Sequence, residues 1–585
     1  MSQMLELLGG DRFRINAHAK ASRVIKDLVV DLESMAKDGD TKAIVAIEGI
    51  GKGTAGKIIE LAQTGTIAEY DELASKVPSG VMDILAIQGL GPKTVKLMWD
   101  EKNIESIEDL KRIIEDGSIL ELPRMGQKTV DNIQASIAFL ETSGQRLSIG
   151  IASRVADRLV AMLESLDGTI RVQCAGSIRR GKESIGDIDL LISTSEPEAA
   201  REAFTNAEGV MQVLAKGDTK CSIRMALGEV SSRWGADENA GIQVDMRVVN
   251  DSAFGAALLY FSGSKEHGVR LRERAIKMGM TLNEYGLFAD DGKDSSSPQS
   301  RGIEPIACDT EESIYKALEL PFIEPTMRED RGEMSLDEPV ELIQLADIKA
   351  ELHSHTTASD GKMSIEESAA LAKARGFHTL AITDHSQSSA IAGGLKPDRL
   401  YTHMKAIREA NKKIDGITLL AGSEVDILID GTLDYDDELL AQLDVVVASP
   451  HAGLRAKPKQ ATKRLLKAIA HPMVHIIGHP TGRLIEKRPG IEPDMNELIA
   501  AAIEHDVALE INSHWMRLDL RDTHVRAAVE AGALISINCD DHHPTDYDNL
   551  IFGVKTGQRG WLTAEQCINT WDAGRLHAWL KSKRS

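Results

Sequence analysis

Over the first 146 residues the apolar positions recur at helical spacing, and three short glycine turns interrupt them: Ile47-Glu48-Gly49-Ile50-Gly51, Ile87-Gln88-Gly89-Leu90-Gly91 and Leu122-Pro123-Arg124-Met125-Gly126. Each turn leads through a polar start into further apolar helix positions, at Lys57-Ile58-Ile59, Lys93-Thr94-Val95 and Lys128-Thr129-Val130. From about residue 147 the period changes. Residues 171–175 alternate as a strand does, break at Gly176-Ser177, and a second strand is expected over 188–192. Residues 242–249 alternate again, with Val244, Met246 and Val248 on one face and Asp245 and Arg247 on the other; residues 231–240 before them read as a polar loop. Residues 147–328 therefore predict an α/β unit. Periodicity is lost from about 321 and charge gathers at Arg328-Glu329-Asp330-Arg331, which predicts a linker over 329–347. From 348 to 585, short apolar runs end repeatedly in His, Asp or Glu.

At 585 residues the chain is long enough for several domains, and 42% hydrophobic content supplies ordinary cores. The cysteines form no C-x-x-C pair, which argues against a thiolate zinc site or a disulfide framework and suits a reducing cytoplasm. No apolar run is long enough to span a membrane, so no membrane partner is expected. The net charge of −22 counts against a basic face that coats nucleic acid, but not against a local grip by backbone amides.

The densest chemistry lies in Gly176-Ser177-Ile178-Arg179-Arg180-Gly181-Lys182-Glu183-Ser184-Ile185-Gly186-Asp187-Ile188-Asp189. Asp187 and Asp189 are two apart on a strand and share a face. A Gly-Ser and Arg-Arg turn able to hold phosphates stands beside them. Neighbouring carboxylates repel unless cations sit between them. Two Mg²⁺ ions roughly 3.5–4 Å apart, bridging a triphosphate, meet both needs. Asp245 supplies a third carboxylate from the later strand.

This pattern resembles the nucleotidyltransferases, and specifically the family X DNA polymerases. Tyr260-Phe261-Ser262-Gly263-Ser264 resembles that family's nucleotide-binding turn, and Leu282-Asn283-Glu284-Tyr285-Gly286-Leu287-Phe288 its following hairpin. The resemblance implies that Asp187, Asp189 and Asp245 are catalytic and hold Mg²⁺. It implies that Ser177, Arg180 and Gly186 contact the triphosphate, and that Tyr260, Phe261, Ser262 and Gly263 line the sugar. Gly268 stands where the family carries an Asn against the incoming base pair, with His267 as the adjacent alternative. The N-terminal turns resemble helix–hairpin–helix motifs, which hold DNA phosphates on helix N-termini without reading sequence; Gly49, Gly51, Gly89, Gly91 and Gly126 are the expected contacts. The third motif departs from the other two, with Arg124 in place of its first glycine. Lys57 lies at the offset where related polymerases carry a lysine that removes a 5′-deoxyribose phosphate through a Schiff base.

Of the 17 histidines, all but His18 and His267 lie from His353 onward. His353, His385, Glu424, His451, His479, Glu510 and Asp540 each end an apolar run, each about 30 residues after the one before, the length of a strand plus a helix. Seven such units can close into a barrel with every ligand at its C-terminal rim. This segment resembles the PHP (polymerase and histidinol phosphatase) domain, a metal-dependent phosphoesterase. The resemblance gives as metal ligands His353, His355, Asp360, His385, Glu424, His451, His479, Asp540 and His542. Imidazole mixed with carboxylate suits Mn²⁺ or Zn²⁺. Asp384 or Glu510 could orient ligands, Arg483 and Arg488 could hold a substrate phosphate, and His378, His471, His475 and His543 are expected to be non-ligands.

The two resemblances imply a multidomain chain. Residues 1–146 would be α-helical with helix–hairpin–helix motifs and lyase potential. Residues 147–328 would be an α/β nucleotidyltransferase palm and nucleotide-binding subdomain, 329–347 a linker and 348–585 a (βα)7 PHP barrel. The expected function is DNA-directed gap filling in DNA repair, with gapped or primer–template DNA and dNTPs as partners. A PHP nuclease would act beside it as a 3′–5′ exonuclease and/or abasic-site endonuclease. A small-molecule phosphoesterase with a regulatory N-terminal region is one alternative; a DNA-binding scaffold, which would need neither ligand cluster, is another. The sequence names no protein partner.

Overall fold

The computed structural model describes residues 1–26, 36, 39, 41–47, 50–85, 87, 90–123, 125–127, 129–130, 133–134, 137, 146–227, 241–290 and 297–583. Gly49, Gly89, Arg124, Lys128 and the expected loop 231–240 lie outside the described residues. The chain forms two compact units, Met1–Gln145 and Arg146–Ser585.

In the first unit the glycine turns end where a helix begins. Gly51 caps helix α1 (Lys52–Thr64) and Gly91 caps α2 (Pro92–Lys102), both with extended backbone. At Gly126 the carbonyl accepts the N–H groups of Thr129 and Val130 at 2.8 and 3.1 Å. The apolar neighbours Ile50 and Leu90 are buried and anchor the turns in the core, while Gly51, Gly91 and Gly126 are exposed. A Cβ added at any of these three glycines would meet nothing within 4 Å, so their backbone faces open space.

The second unit opens with helix α3 (Ile149–Glu164), packed on a five-stranded sheet of β1 (Thr169–Cys174), β2 (Asp187–Thr194), β3 (Val210–Lys216), β4 (Lys220–Ala226) and β5 (Gly241–Val248). The order across the sheet is β1-β2-β5-β4-β3, and only β2 and β5 pair in parallel. The basic stretch between β1 and β2, expected as a turn, contains one helical turn at Gly176–Arg179. Helices α4 (Phe254–Ser262) and α5 (Lys265–Lys277) follow, then a three-stranded antiparallel sheet that includes the expected hairpin as Thr281–Asn283 and Gly286–Phe288.

Seven parallel strands form the last part: β6 (Ala350–Ser354), β7 (Thr379–Ile382), β8 (Thr418–Asp426), β9 (Val445–Ser449), β10 (Ile476–Ile477), β11 (Ala508–Asn512) and β12 (Ile535–Asn538). They neighbour one another in chain order, and a bridge between Ser354 and Asp541 brings the two ends of the sheet together. Nearly every strand residue is buried, as strands covered on both faces require.

Residues 329–347, expected to be a linker, are packed. Glu333 is buried and accepts the N–H groups of Asp330 and Arg331 at 2.8 and 2.6 Å, and the Ile343 N–H donates to Leu562 O at 2.9 Å. Their lack of periodicity reflects charges that find specific partners, not a solvated tether. The palm and barrel also share a core. Trp515 and Leu518 of the barrel join the cluster built by Ile149, Val155, Ile178 and Ile185. A Cβ at Gly150 would stand 2.3 Å from the Trp515 ring, so only glycine lets α3 approach this closely.

Candidate active sites and metal centres

In the palm, parallel pairing sets Asp189 opposite Asp245, and Asp187 lies two residues earlier on β2. The three carboxylates offer ligand atoms within 4.8 Å of one another. Gly176 stands against them: at its φ of +59° a Cβ would lie 2.3 Å from Asp189 Oδ2. Burial, with Asp187 and Asp245 adding repulsion, pushes the Asp189 carboxyl up to about 6. Asp245 is drawn down despite its burial, because Lys220 Nζ lies 2.7 Å away and Ser222 and Gln243 bond to it. Crowded carboxylates of this kind fit a divalent cation, whose charge relieves their repulsion.

Beside them lies a cleft of about 710 Å³ lined by Ser177, Arg180, Tyr260, Phe261, Gly263 and Gly268, six of the expected nucleotide-binding residues. Arg146, Lys182, Lys265 and Arg272 also face it, giving the cationic lining that a triphosphate requires. Sequence reasoning assigned none of these four to the site: Lys182 lies within the basic turn and Lys265 directly after the expected nucleotide-binding turn, while Arg146 and Arg272 stand outside any motif. Ser262 corrects an expectation. It is fully buried at the end of α4, and its hydroxyl accepts from Arg179 at 2.7 Å instead of facing the cleft. Gly186 lies beside Arg146, whose Nη1 is 3.1 Å from where a Cβ would stand. The alternative to Gly268 falls away: His267 is buried with its ring nitrogens 2.8 Å from Glu333 and 2.8 Å from the Tyr315 hydroxyl. Arg179 is engaged by Glu311, whose carboxyl would rise on burial but is pulled down to about 2 by Arg328 and Arg179.

At the barrel rim the expected ligands fall into three adjoining groups: His355, Asp360, His385 and His542; His353, His355 and Asp540; and His385, Glu424 and His451. His479 joins through Glu424, with Nε2 2.9 Å from Oε1. All nine ligands given by the resemblance therefore meet at one place. His353 Nε2, His355 Nδ1, His385 Nδ1, Glu424 Oε2 and His479 Nδ1 are buried without a hydrogen-bond partner. His385 Nδ1 and Glu424 Oε2 lie 2.7 Å apart outside hydrogen-bond geometry. Buried polar atoms are normally satisfied, and three of these orphans, His353 Nε2, His385 Nδ1 and Glu424 Oε2, lie against other ligands of the cluster, which fits metal ions. Burial, with His385 and His542 alongside, pushes His355 down to about 4, which keeps it a neutral donor. His479 and Asp540 hold left-handed backbone at φ +24° and +52°, a strain typical of functional positions.

The groups behind the ligands differ from expectation in part. Glu510 Oε1 lies 2.7 Å from His353 Nδ1, and its other oxygen accepts the His479 N–H at 2.7 Å. Asp384 instead braces the loop before Asp360, bonding Thr356, Ser359 and His403. Asp426, not anticipated, lies 2.7 Å from His451 Nδ1, and Asn512 donates to Asp540 at 2.8 Å. Arg483 and Arg488 do not face the cluster: Arg483 is buried and donates to Glu183 at 2.7 Å, and Arg488 donates to Gly482 O at 2.9 and 2.6 Å. His378, His471, His475 and His543 all bond elsewhere.

In the first unit, Lys57 Nζ lies 2.9 Å from Glu69, which also pairs with Arg14 and lies 4.0 Å from His18.

Residues 152–236 match the family model described as DNA polymerase beta palm, 257–329 DNA polymerase beta thumb and 351–514 PHP domain. Residues 1–67 match a helix-hairpin-helix domain and 81–138 a SAM-like helix-hairpin-helix tandem. The chain is 34% identical over 579 residues to "DNA polymerase/3'-5' exonuclease PolX" of Bacillus subtilis (strain 168), covering 99% of this chain and 97% of that protein. It is 27% identical over 328 residues to "DNA polymerase lambda" of Rattus norvegicus, 55% of this chain and 53% of that one. Over 244 residues it is 29% identical to "Probable phosphatase Teth514_1060" of Thermoanaerobacter sp. (strain X514), 40% of this chain and 94% of the relative. Palm, thumb and barrel define a nucleotidyltransferase joined to a metal-dependent phosphoesterase. The chain belongs to the family X DNA polymerases that carry a PHP domain.

Proposed function

We propose that the chain fills short gaps by adding nucleotides to a primer 3′ end, with gapped or primer–template DNA and dNTPs as substrates, and that its barrel removes nucleotides from 3′ ends. The observation that carries this is two donor clusters of different chemistry within one compact unit. The all-carboxylate set of Asp187, Asp189 and Asp245 suits Mg²⁺, and the mixed set at the barrel rim suits Mn²⁺ or Zn²⁺. A bound ion supplies Lewis acidity, offsetting phosphate charge and making an oxygen nucleophile available at neutral pH.

The side chains do the rest. Arg180, Arg146 and Lys182 give the triphosphate cationic donors, Ser177 a hydroxyl, and Tyr260 and Phe261 flat surfaces for sugar and base. The three converging carboxylates would bring the primer hydroxyl and the α-phosphate together, so that positioning and charge do most of the work. In the barrel, Glu510 and Asp426 fix the rings of His353 and His451 so that the opposite nitrogens face the ligand cluster. In the helical unit the exposed backbone at Gly51, Gly91 and Gly126 is suited to DNA phosphates. Lys57, one-fifth exposed beside Arg14 and His18, is proposed as the amine that attacks a 5′-deoxyribose phosphate. Five unpaired cysteines suit a cytoplasmic setting, and among the described residues no helix is long and apolar enough to cross a membrane.

The match to proteins named as phosphatases favours a second reading for the barrel alone, hydrolysis of small phosphomonoesters. End-labelled gapped DNA, incubated with and without dNTPs and beside a small aryl phosphate, separates the readings. Extension with dNTPs and shortening without them are expected. Phosphate release from the aryl ester with DNA unchanged supports the second reading.

A further inference from the structure

The phosphate-binding turn between β1 and β2 does not stand alone; two buried arginines of the barrel hold it. Arg559 ends the barrel helix α6 (Leu550–Arg559) and is 3% exposed. Its Nη1 donates to the main-chain carbonyl of Arg180 at 2.8 Å and to Glu329 at 2.9 Å. Its Nε and Nη2 donate to Asp522 at 3.0 and 2.7 Å. Glu329 in turn accepts from Arg180 Nε at 3.0 Å, so Arg559 fixes both the backbone and the guanidinium of the residue that faces the triphosphate cleft. At the other end of the turn, Arg483 donates to Glu183 at 2.7 Å and to Leu518 O. Between them the turn crosses Gly181 at φ +67°, where a Cβ would lie 3.0 Å from Lys555 Cβ.

A stretch containing two left-handed glycines, Gly176 and Gly181, has little intrinsic preference for one shape, and ordering it costs entropy. A guanidinium fork that spans a main-chain carbonyl and two carboxylates supplies the missing restraint in advance of substrate. We propose that Arg559 and Arg483 are positioning residues for nucleotide addition: the barrel holds the triphosphate turn in its binding shape, and nucleotide affinity in the palm depends on that grip. This rests on the reading of the palm as a nucleotide-adding site. An arginine serving only as interface adhesive would have no reason to bond the carbonyl of Arg180, a turn residue whose side chain faces the cleft.

The test uses the full-length protein and its variants Arg559→Met, Arg559→Lys and Arg483→Met on gapped DNA. Nucleotide dissociation constants are measured on a dideoxy-terminated primer, and KM and kcat on an extendable one. Loss of one charge-assisted restraint should raise the dissociation constant and KM by about tenfold while kcat moves by less than about threefold. Arg559→Lys should recover part of the loss, and shortening of DNA by the barrel should keep its wild-type rate. Should Arg559→Met fail to fold, Asp522→Asn, which weakens the outer anchor of Arg559 together with the pair to Arg331, should raise KM in the same direction. Unchanged nucleotide affinity in both the Arg559 and Arg483 variants overturns the proposal. So does an equal loss of extension and shortening, which marks general loosening. A wild-type protein that extends no primer defeats the reading of the palm itself, and this shows before any variant is made.

Discussion

Glu510 ties two ligands of the barrel together: one carboxylate oxygen lies 2.7 Å from His353 Nδ1, and the other accepts the His479 N–H at 2.7 Å. It thereby fixes which nitrogen of His353 turns toward Glu424 and Asp540. Glu510→Gln removes the charge while keeping the shape. Groups that orient metal ligands in this way are worth about 10–100-fold in metal affinity or activity. Metal content of the purified variant and its rate of DNA shortening should fall by that order, with primer extension unchanged. Full metal content at wild-type rate contradicts the role.

Asp522 makes a prediction about pH. Burial alone would raise its carboxyl, but Arg559 and Arg331 outweigh that and pull it from 3.8 down to about 2. A lowered carboxylate contributes stability that is present above its unfolded value and is lost as pH falls toward its folded one. The shift corresponds to about 2 kcal/mol. Asp522→Asn should therefore unfold more readily than wild type at pH 7, and the gap should close between about pH 4 and pH 2. Thermal midpoints measured across that range check it; a gap of the same size at both ends contradicts it.

Much of this site was legible in the sequence, because its chemistry recurs with the period of the elements that carry it. The barrel ligands stand at strand ends, and Asp187, Asp189 and Asp245 sit in phase with strand alternation. The docking of barrel on palm was not legible. Trp515 lies in a loop without periodicity, and nothing in the sequence marks it as the residue that fills the space at Gly150. The 329–347 stretch misled for a related reason: charges that pair across the fold, such as Arg331 with Asp522, have the same composition as charges that face water. Ser262 misled because one residue at a helix end decides whether a hydroxyl turns in or out.

Lys57 carries the prediction for the helical unit. Its ammonium pairs with Glu69, so attack on a sugar carbonyl requires that contact to open and the amine to lose its proton. Borohydride added to the protein on DNA bearing a 5′-deoxyribose phosphate should trap a covalent adduct, and Lys57→Ala should abolish it. An adduct that survives in the variant assigns the chemistry to another amine, and no adduct with the wild type leaves the first hairpin as a DNA clamp.

The central claim is that one compact unit holds two metal-dependent sites with opposite effects on a primer 3′ end. A single gel of end-labelled gapped DNA, with dNTPs present or withheld, tests it on wild type, Asp189→Ala and His355→Ala. Asp189→Ala should lose extension by at least about a hundredfold and keep shortening, and His355→Ala should lose shortening and keep extension. Loss of both activities in either variant, with its fold intact by circular dichroism, would contradict the account.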